Sequence, residues 1–381
     1  MEKKNVMFLA IFGALLVGCS EEEIANVETS SQNAISFNVV SNAAETKATP
    51  ITSSNLKTVD FDVFAYTADG TVFMGKDDVI MGHSGVKIKH NGKNWDYADQ
   101  SDIHYWPATE SLNFYAISPG TVLDGDAGMH YMWNFNHSEQ KIHYACMDEY
   151  GEGTGKHEDH DVMYGIAKNQ KKDTSSGVVK FTFKHILSQV VFKARTELAA
   201  MNVTINGIKI CNAKMSGVFT LPSDAETAPS TADNWVLKDG VYSPTVIRNA
   251  AVEVKSNTEA EDISSGKPIF VIPQTLTAWN VTGEEKKTIS ETKDATPMQS
   301  YLEISCKIQQ SGVYVCGSES DWQTIYVPFG ASWEPGKRYV YTMIFGGGYD
   351  ENGNEILKPI EFDAKTEDWV DDAGNDHKVN M

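Results

Sequence analysis

Cysteine is scarce in this chain, with five in 381 residues. That is too few for a disulfide-built scaffold, so the fold must rest on an apolar core. Basic side chains are outnumbered as well: 32 Lys and Arg stand against 52 Asp and Glu, a formal net charge of −20. Nucleic-acid binding rests on Lys and Arg at phosphates, so this balance argues against nucleic acid as a partner and against docking on anionic lipid. Past the amino-terminal segment no apolar run is long enough to cross a membrane as a helix. No long stretch has a convincing helical period. A Gly-x-Ser-x-Gly elbow, a His-Glu-x-x-His pair and a phosphate-cradling loop are all missing. Carboxylates are plentiful, but no pair of them is singled out for glycoside hydrolysis. These absences leave no signal for an enzyme and none for a cofactor.

What is present begins at the amino terminus. Lys3 and Lys4 precede an apolar run from Val6 to Val17, and Leu16-Val17-Gly18-Cys19 closes the segment. A positive start, an apolar run and a small-residue exit describe a secretory signal. The cysteine directly after the small residue marks a lipoprotein signal over residues 1–18, with Cys19 lipidated on its sulfur as the new amino terminus. Residues 1–18 hold two Lys and one Glu, so their removal takes the charge from −20 to −21. Residues 19–34 read as an acidic tether, because the carboxylates of Glu21, Glu22 and Glu23 repel one another and keep the segment extended.

Beyond the tether, period-two alternation dominates. Ile35, Phe37 and Val39 share one face of a short strand. The pattern recurs in Val59, Phe61, Val63 and Ala65, in Leu112, Phe114 and Ala116, and in Val179, Phe181 and Phe183. It continues in Val190, Phe192 and Ala194, in Leu302, Ile304, Cys306 and Ile308, and in Tyr339, Tyr341, Met343 and Phe345. Turn signals stand at Asp69-Gly70, Asn91-Gly92, Asn206-Gly207, Asp239-Gly240 and Asn352-Gly353. Many short strands with frequent turns predict an all-β chain of β-sandwiches. Roughly 360 mature residues exceed what one core serves, and the apolar-poor stretch Lys168 to Gly177 marks the boundary. The reading is an amino-terminal sandwich over 35–177 and a carboxyl-terminal sandwich over 178–381. Phe181, Phe183, Val190 and Phe192 are expected to be buried near their junction.

Three constellations invite a chemical reading. His157-Glu158-Asp159-His160-Asp161 has metal-ligating groups, but it sits in Gly-rich sequence and reads as a solvated loop, with no metal expected. Met129-His130-Tyr131-Met132-Trp133 could stack on sugar rings or fill a core. Cys306 and Cys316 could pair across a hairpin or stand as two half-buried strand cysteines.

Several segments in order resemble one family. They are Tyr105-Trp106-Pro107, Leu112 to Pro119, Asp161-Val162-Met163-Tyr164, Phe183 to Val190, Val271-Ile272-Pro273-Gln274, Trp333 to Tyr341, and Ile360-Glu361-Phe362 with Trp369. Together they resemble the fimbrillin family of fimbrial subunits. Ser20-Glu21-Glu22-Glu23 right after Cys19 is similar to the export tag of surface lipoproteins in Bacteroides-type bacteria.

The resemblance implies two tandem transthyretin-like β-sandwich domains and a structural or adhesive subunit of a surface fimbria. It implies cleavage after a basic residue that follows the first strand. Lys47 fits, with Ala48 as the new amino terminus, in a Ser/Thr/Ala-rich stretch open to a trypsin-like protease. Ile35, Phe37 and Val39 would then leave with the leader, and a strand from another subunit would fill the groove. Val370 to Met381 has few apolar residues to donate, which favours a tip or accessory role over a stalk role. The partners implied are other fimbrial subunits by strand exchange, the outer membrane through lipid on Cys19, and a host or bacterial surface receptor. The rival reading is a monomeric surface lipoprotein that binds glycan or protein without polymerising.

Overall fold

A computed structural model describes residues 33–40, 56–75, 85–120, 133–145, 161–222, 230–238, 243–264, 268–357 and 360–368. Nearly every element in them is a β-strand. The described α-helical segments, Lys172–Ser175 and Ile289–Thr292, span about one turn each. None of the described helices is long and apolar enough to cross a membrane.

The first sheet has nine strands. Its path runs Val178–Thr182, Ser36–Val40, Trp95–Tyr97, Val86–His90, Phe61–Thr67, Leu112–Ser118, Met163–Gln170 and Lys184–His185, with Val72–Met74 beside Phe61–Thr67. The two ends of this path are consecutive in sequence, joined through Phe183. The sheet therefore curls around a core of Phe37, Phe61, Phe114 and Phe181. Its central strands are buried on both faces. In Phe61–Thr67 the alternate residues Phe64 and Tyr66 turn outward and are covered as well. That explains a nearly continuous apolar run where alternation alone predicts polar positions.

The cover is a four-stranded sheet ordered Trp235–Leu237, Ser216–Thr220, Lys141–Ala145 and Trp133–Asn136. Phe135, Ile142, Tyr144, Phe219 and Trp235 pack there against Phe64, Tyr66, Tyr115 and Tyr164. Half of this sheet comes from either side of the expected boundary.

Two further sheets face each other across the largest core. One carries Glu261–Asp262, Ser188–Thr196, Lys337–Phe345 and Glu361–Asp368, with Ile269–Val271 pairing Ser188–Thr196. The other runs Thr245–Val254, Met201–Cys211, Gln299–Gln310, Gln323–Pro328, Gly348–Tyr349 and Glu355–Leu357. Val190, Phe192, Tyr341 and Met343 meet Val203, Ile205, Leu302 and Ile304 in that core, which makes this half a β-sandwich. Trp333 is fully buried within it and donates from Nε1 to the Tyr341 hydroxyl at 3.0 Å.

Three expectations need correction. The stretch Lys168 to Gly177 is no linker: the Met163–Gln170 strand ends in it, and after the Lys172–Ser175 turn Gly177 (φ +77°) sends the chain back beside Ser36. The chain leaves the first sheet only after His185, so Val178–Thr182 belongs with the amino-terminal strands. Phe181 accordingly lies in the amino-terminal core, Val190 and Phe192 in the other, and Phe183 is half-buried. Phe181, Val190 and Phe192 are thus buried as expected, and between them Ile186 and Leu187 are buried too, their carbonyls accepting from Trp235 Nε1 (3.0 Å) and Gly336 N (2.8 Å). Asn206-Gly207 is not a turn but a bulge within Met201–Cys211, where the register slips between Ile205 and Gly207. Gly70, Gly92 and Gly353 do occupy turns with positive φ.

Phe192 is fully buried. Phe192→Ala should cost about 3–5 kcal/mol, read as a lower urea midpoint at unchanged slope. Val236→Ala, at a residue 65% exposed, should stay within about 0.5 kcal/mol of the parent.

Candidate functional site: the first strand and its bed

The strand Ser36–Val40 is built from alternation: Ile35 and Phe37 are buried and Val39 half-buried, while Ser36 and Asn38 face outward. Phe37 stacks on Phe181 at 6.2 Å and meets Tyr97 at 5.7 Å and Phe114 at 6.4 Å. Fully burying such side chains contributes about 1.5–3 kcal/mol each.

The main chain is held unevenly on its two sides. Along one edge the strand pairs in parallel with Val178–Thr182, from Ser36↔Val178 through Val40↔Thr182. Along the other it meets Trp95–Tyr97 at the single pair Phe37↔Trp95, followed by an isolated bridge Ala34↔Tyr105. Ile35 N donates to His104 O at 2.9 Å, and Trp106 N donates to Asn33 O at 2.9 Å. Among the described residues Val178–Thr182 has its ladder with the first strand alone. Taking the strand away would leave a row of unpaired groups beside an apolar trough.

Two fixed points lock this seat. The Tyr97 hydroxyl donates to Ile35 O at 3.1 Å and accepts from His104 N at 3.4 Å. Burial pushes that hydroxyl up to about 12, so it remains a donor at neutral pH. The Gly177 carbonyl accepts from Ser36 N (3.2 Å), Ser36 Oγ (3.0 Å) and Trp106 Nε1 (3.2 Å). Trp106 stood out in the sequence as part of Tyr105-Trp106-Pro107. Tyr97, Gly177 and the parallel neighbour did not, because their partners lie far along the chain.

The remaining site residues divide plainly. Cys19, Lys47, Ala48, Met129 to Met132 and His157 to His160 lie outside the described residues. Asp161 is buried and lies 2.8 Å from His185 Nδ1. Trp133 opens the Trp133–Asn136 strand. His137 stacks on Tyr66, and burial with Lys238 nearby lowers the His143 pKa. Among the described residues no group of three or more His, Cys, Asp or Glu is placed to hold a metal ion.

A family model described as fimbrillin-like matches residues 46–369. The chain belongs to the fimbrillin-like family. No curated protein matches it. Among solved structures, this fimbrillin-like chain is similar to a fimbrial protein from Bacteroides vulgatus ATCC 8482, with 15% identity and a TM-score of 0.48 over 89% of this chain and 100% of that one. It is also similar to a candidate cell adhesion protein from Bacteroides uniformis ATCC 8492, with 13% identity and a TM-score of 0.44 over 88% of this chain and 98% of that one.

Tyr97→Phe in this fimbrillin-like chain removes the donor to Ile35 O and the acceptor of His104 N. It should cost about 1–3 kcal/mol and speed amide hydrogen exchange at Asn33 to Val40 before the Ser188–Thr196 strand. The Tyr97 pKa rises on folding from 10.0 to about 12, so its contribution is complete below pH 10 and is lost as pH climbs through 12. An alkaline melt of the parent should therefore fall more steeply over that window than one of Tyr97→Phe.

Proposed function

We propose that this chain is a surface fimbrial subunit whose first strand is a removable plug. Membership in the fimbrillin-like family supports a fimbrial or adhesion subunit at the cell surface, with a structural rather than catalytic role. The observation that carries the finer reading is the seat of Ser36–Val40. Its apolar side chains fill the amino-terminal core, while its ladder is the one that Val178–Thr182 makes among the described residues.

In this reading Cys19 carries the lipid that anchors the chain to the outer membrane, with its acidic tether facing outward. A trypsin-like protease cuts between Lys47 and Ala48. The released piece, residues 19–47, carries Glu21, Glu22, Glu23, Glu28 and Glu45 against Lys47, so the charge goes from −21 to −17. Ile35, Phe37 and Val39 leave with it. The trough along Val178–Thr182 then accepts a strand from another subunit, by main-chain pairing with side chains in alternate pockets. Residues 370–381 carry few apolar side chains and make a poor donor, which supports a tip or accessory subunit. The amino-terminal module of this reading reaches past residue 177, since 178–185 pair in its sheet and 216–220 with 235–237 help cover it.

The decisive mixing experiment uses the chain without residues 1–47. It should melt below the parent, and a peptide spanning Ile35 to Val40 should bind and raise its melting temperature. A truncated chain that melts like the parent and ignores the peptide sinks the plug. The anchor has its own test: Cys19→Ala should no longer partition with detergent micelles, and a variant that still partitions like the parent means the signal has been misread.

A further inference from the structure

Cys306 and Cys316 belong to a hairpin of the carboxyl-terminal sandwich. Gln299–Gln310 turns through Ser311 (φ 50°) and Gly312 (φ 80°) into Val313–Cys316. Two residues in the left-handed region match the twist of the strands and close the hairpin tightly. Pairing runs Gln310↔Val313, Gln309↔Tyr314 and Ile308↔Cys316, which leaves Val315 as the extra residue of a bulge. The bulge sets Cys316 directly opposite Ile308. Its side chain therefore shares a face with Ile308 and with Cys306, and all three are buried in one core cluster. Just past Cys316 the chain bends at Gly317 (φ +74°), where an added Cβ would stand 3.4 Å from the Cys306 carbonyl oxygen. The bend folds the strand end back onto Cys306, and both cysteines are buried there as free thiols. Val313, Tyr314 and Val315 on the same short strand are exposed.

We infer that Cys306 and Cys316 form a disulfide that staples this hairpin, made by exchange with a small-molecule disulfide oxidant. Cys316 is the attacking group. The neighbouring Cys306 thiol lowers the Cys316 pKa, while Cys316 and burial raise that of Cys306. Local opening of the four-residue strand admits the oxidant. The Cys316 thiolate attacks one sulfur of the oxidant and expels the other half as a thiolate. Cys306 then gives up its proton to solvent and attacks Cys316 Sγ, which expels the second half. Two protein thiols lose two electrons in all, and one oxidant disulfide becomes two thiols. Cys211 does not compete, since it lies against Tyr301 at the opposite end of Gln299–Gln310. The staple depends on the hairpin alone and not on the fimbrial reading.

The test incubates the purified full chain with excess oxidised glutathione, then alkylates it under denaturing conditions without reductant. Trypsin cuts at Lys307, between the two cysteines, and so places them on separate peptides, Asp294 to Lys307 and Ile308 to Lys337. The expected result is these peptides joined, lighter by two hydrogens than their sum, and separated by a reductant. A Cys316→Ala chain should yield the Asp294 to Lys307 peptide unjoined to any peptide from residues 308–337. Recovery of both parent peptides alkylated at Cys306 and Cys316 would overturn the inference.

Discussion

The parallel ladder between Ser36–Val40 and Val178–Thr182 ties together two segments far apart in sequence, and the amino-terminal half is arranged around it. A parallel pair cannot be made by a hairpin; the chain must travel away and return. Here it travels through the whole curled sheet and comes back at Gly177, whose carbonyl is gripped by both Ser36 and Trp106. Phe37 and Phe181 stack across the ladder and fill the same core as Phe61 and Phe114. The closure of the sheet, the filling of the core and the satisfaction of the returning strand thus rest on one short element near the amino terminus. An element so placed is stable while present, and its loss opens both an apolar trough and a row of main-chain donors and acceptors.

The two halves of the molecule are not independent beads. The hairpin strands Ser216–Thr220 and Trp235–Leu237 come from the later half, yet Phe219 and Trp235 pack on Tyr164 and Tyr144 of the earlier one. Trp235 Nε1 reaches the carbonyl of Ile186 in the connecting segment, and Gly336 N reaches that of Leu187. The connection is thereby held from both flanks. The outer face of the amino-terminal sheet is thus clamped by distant sequence.

Much of this was legible in the residues. Alternation in Leu112, Phe114 and Ala116 and in Val190, Phe192 and Ala194 located strands whose inward faces are buried. What failed did so for identifiable reasons. Phe61–Thr67 hides its alternation because both faces are covered. Lys168 to Gly177 is polar because it turns the chain between two strands of one sheet, and polarity does not tell such a turn from a linker. Asn206-Gly207 carries the composition of a tight turn, but between two long neighbouring strands it becomes a bulge. The bed of the first strand was invisible in part because Tyr97 and Gly177 are long-range partners, and no local pattern announces a contact across most of a domain.

Polymerisation by strand exchange requires the first strand to leave. The most direct measurement is the amino-terminal residue of this protein recovered from assembled surface fimbriae. Removal of the plug predicts Ala48 at that position, with residues 19–47 absent from the assembled chain. Assembled chains that all still begin at lipid-bearing Cys19 would contradict it, because Ile35, Phe37 and Val39 would then still occupy the trough.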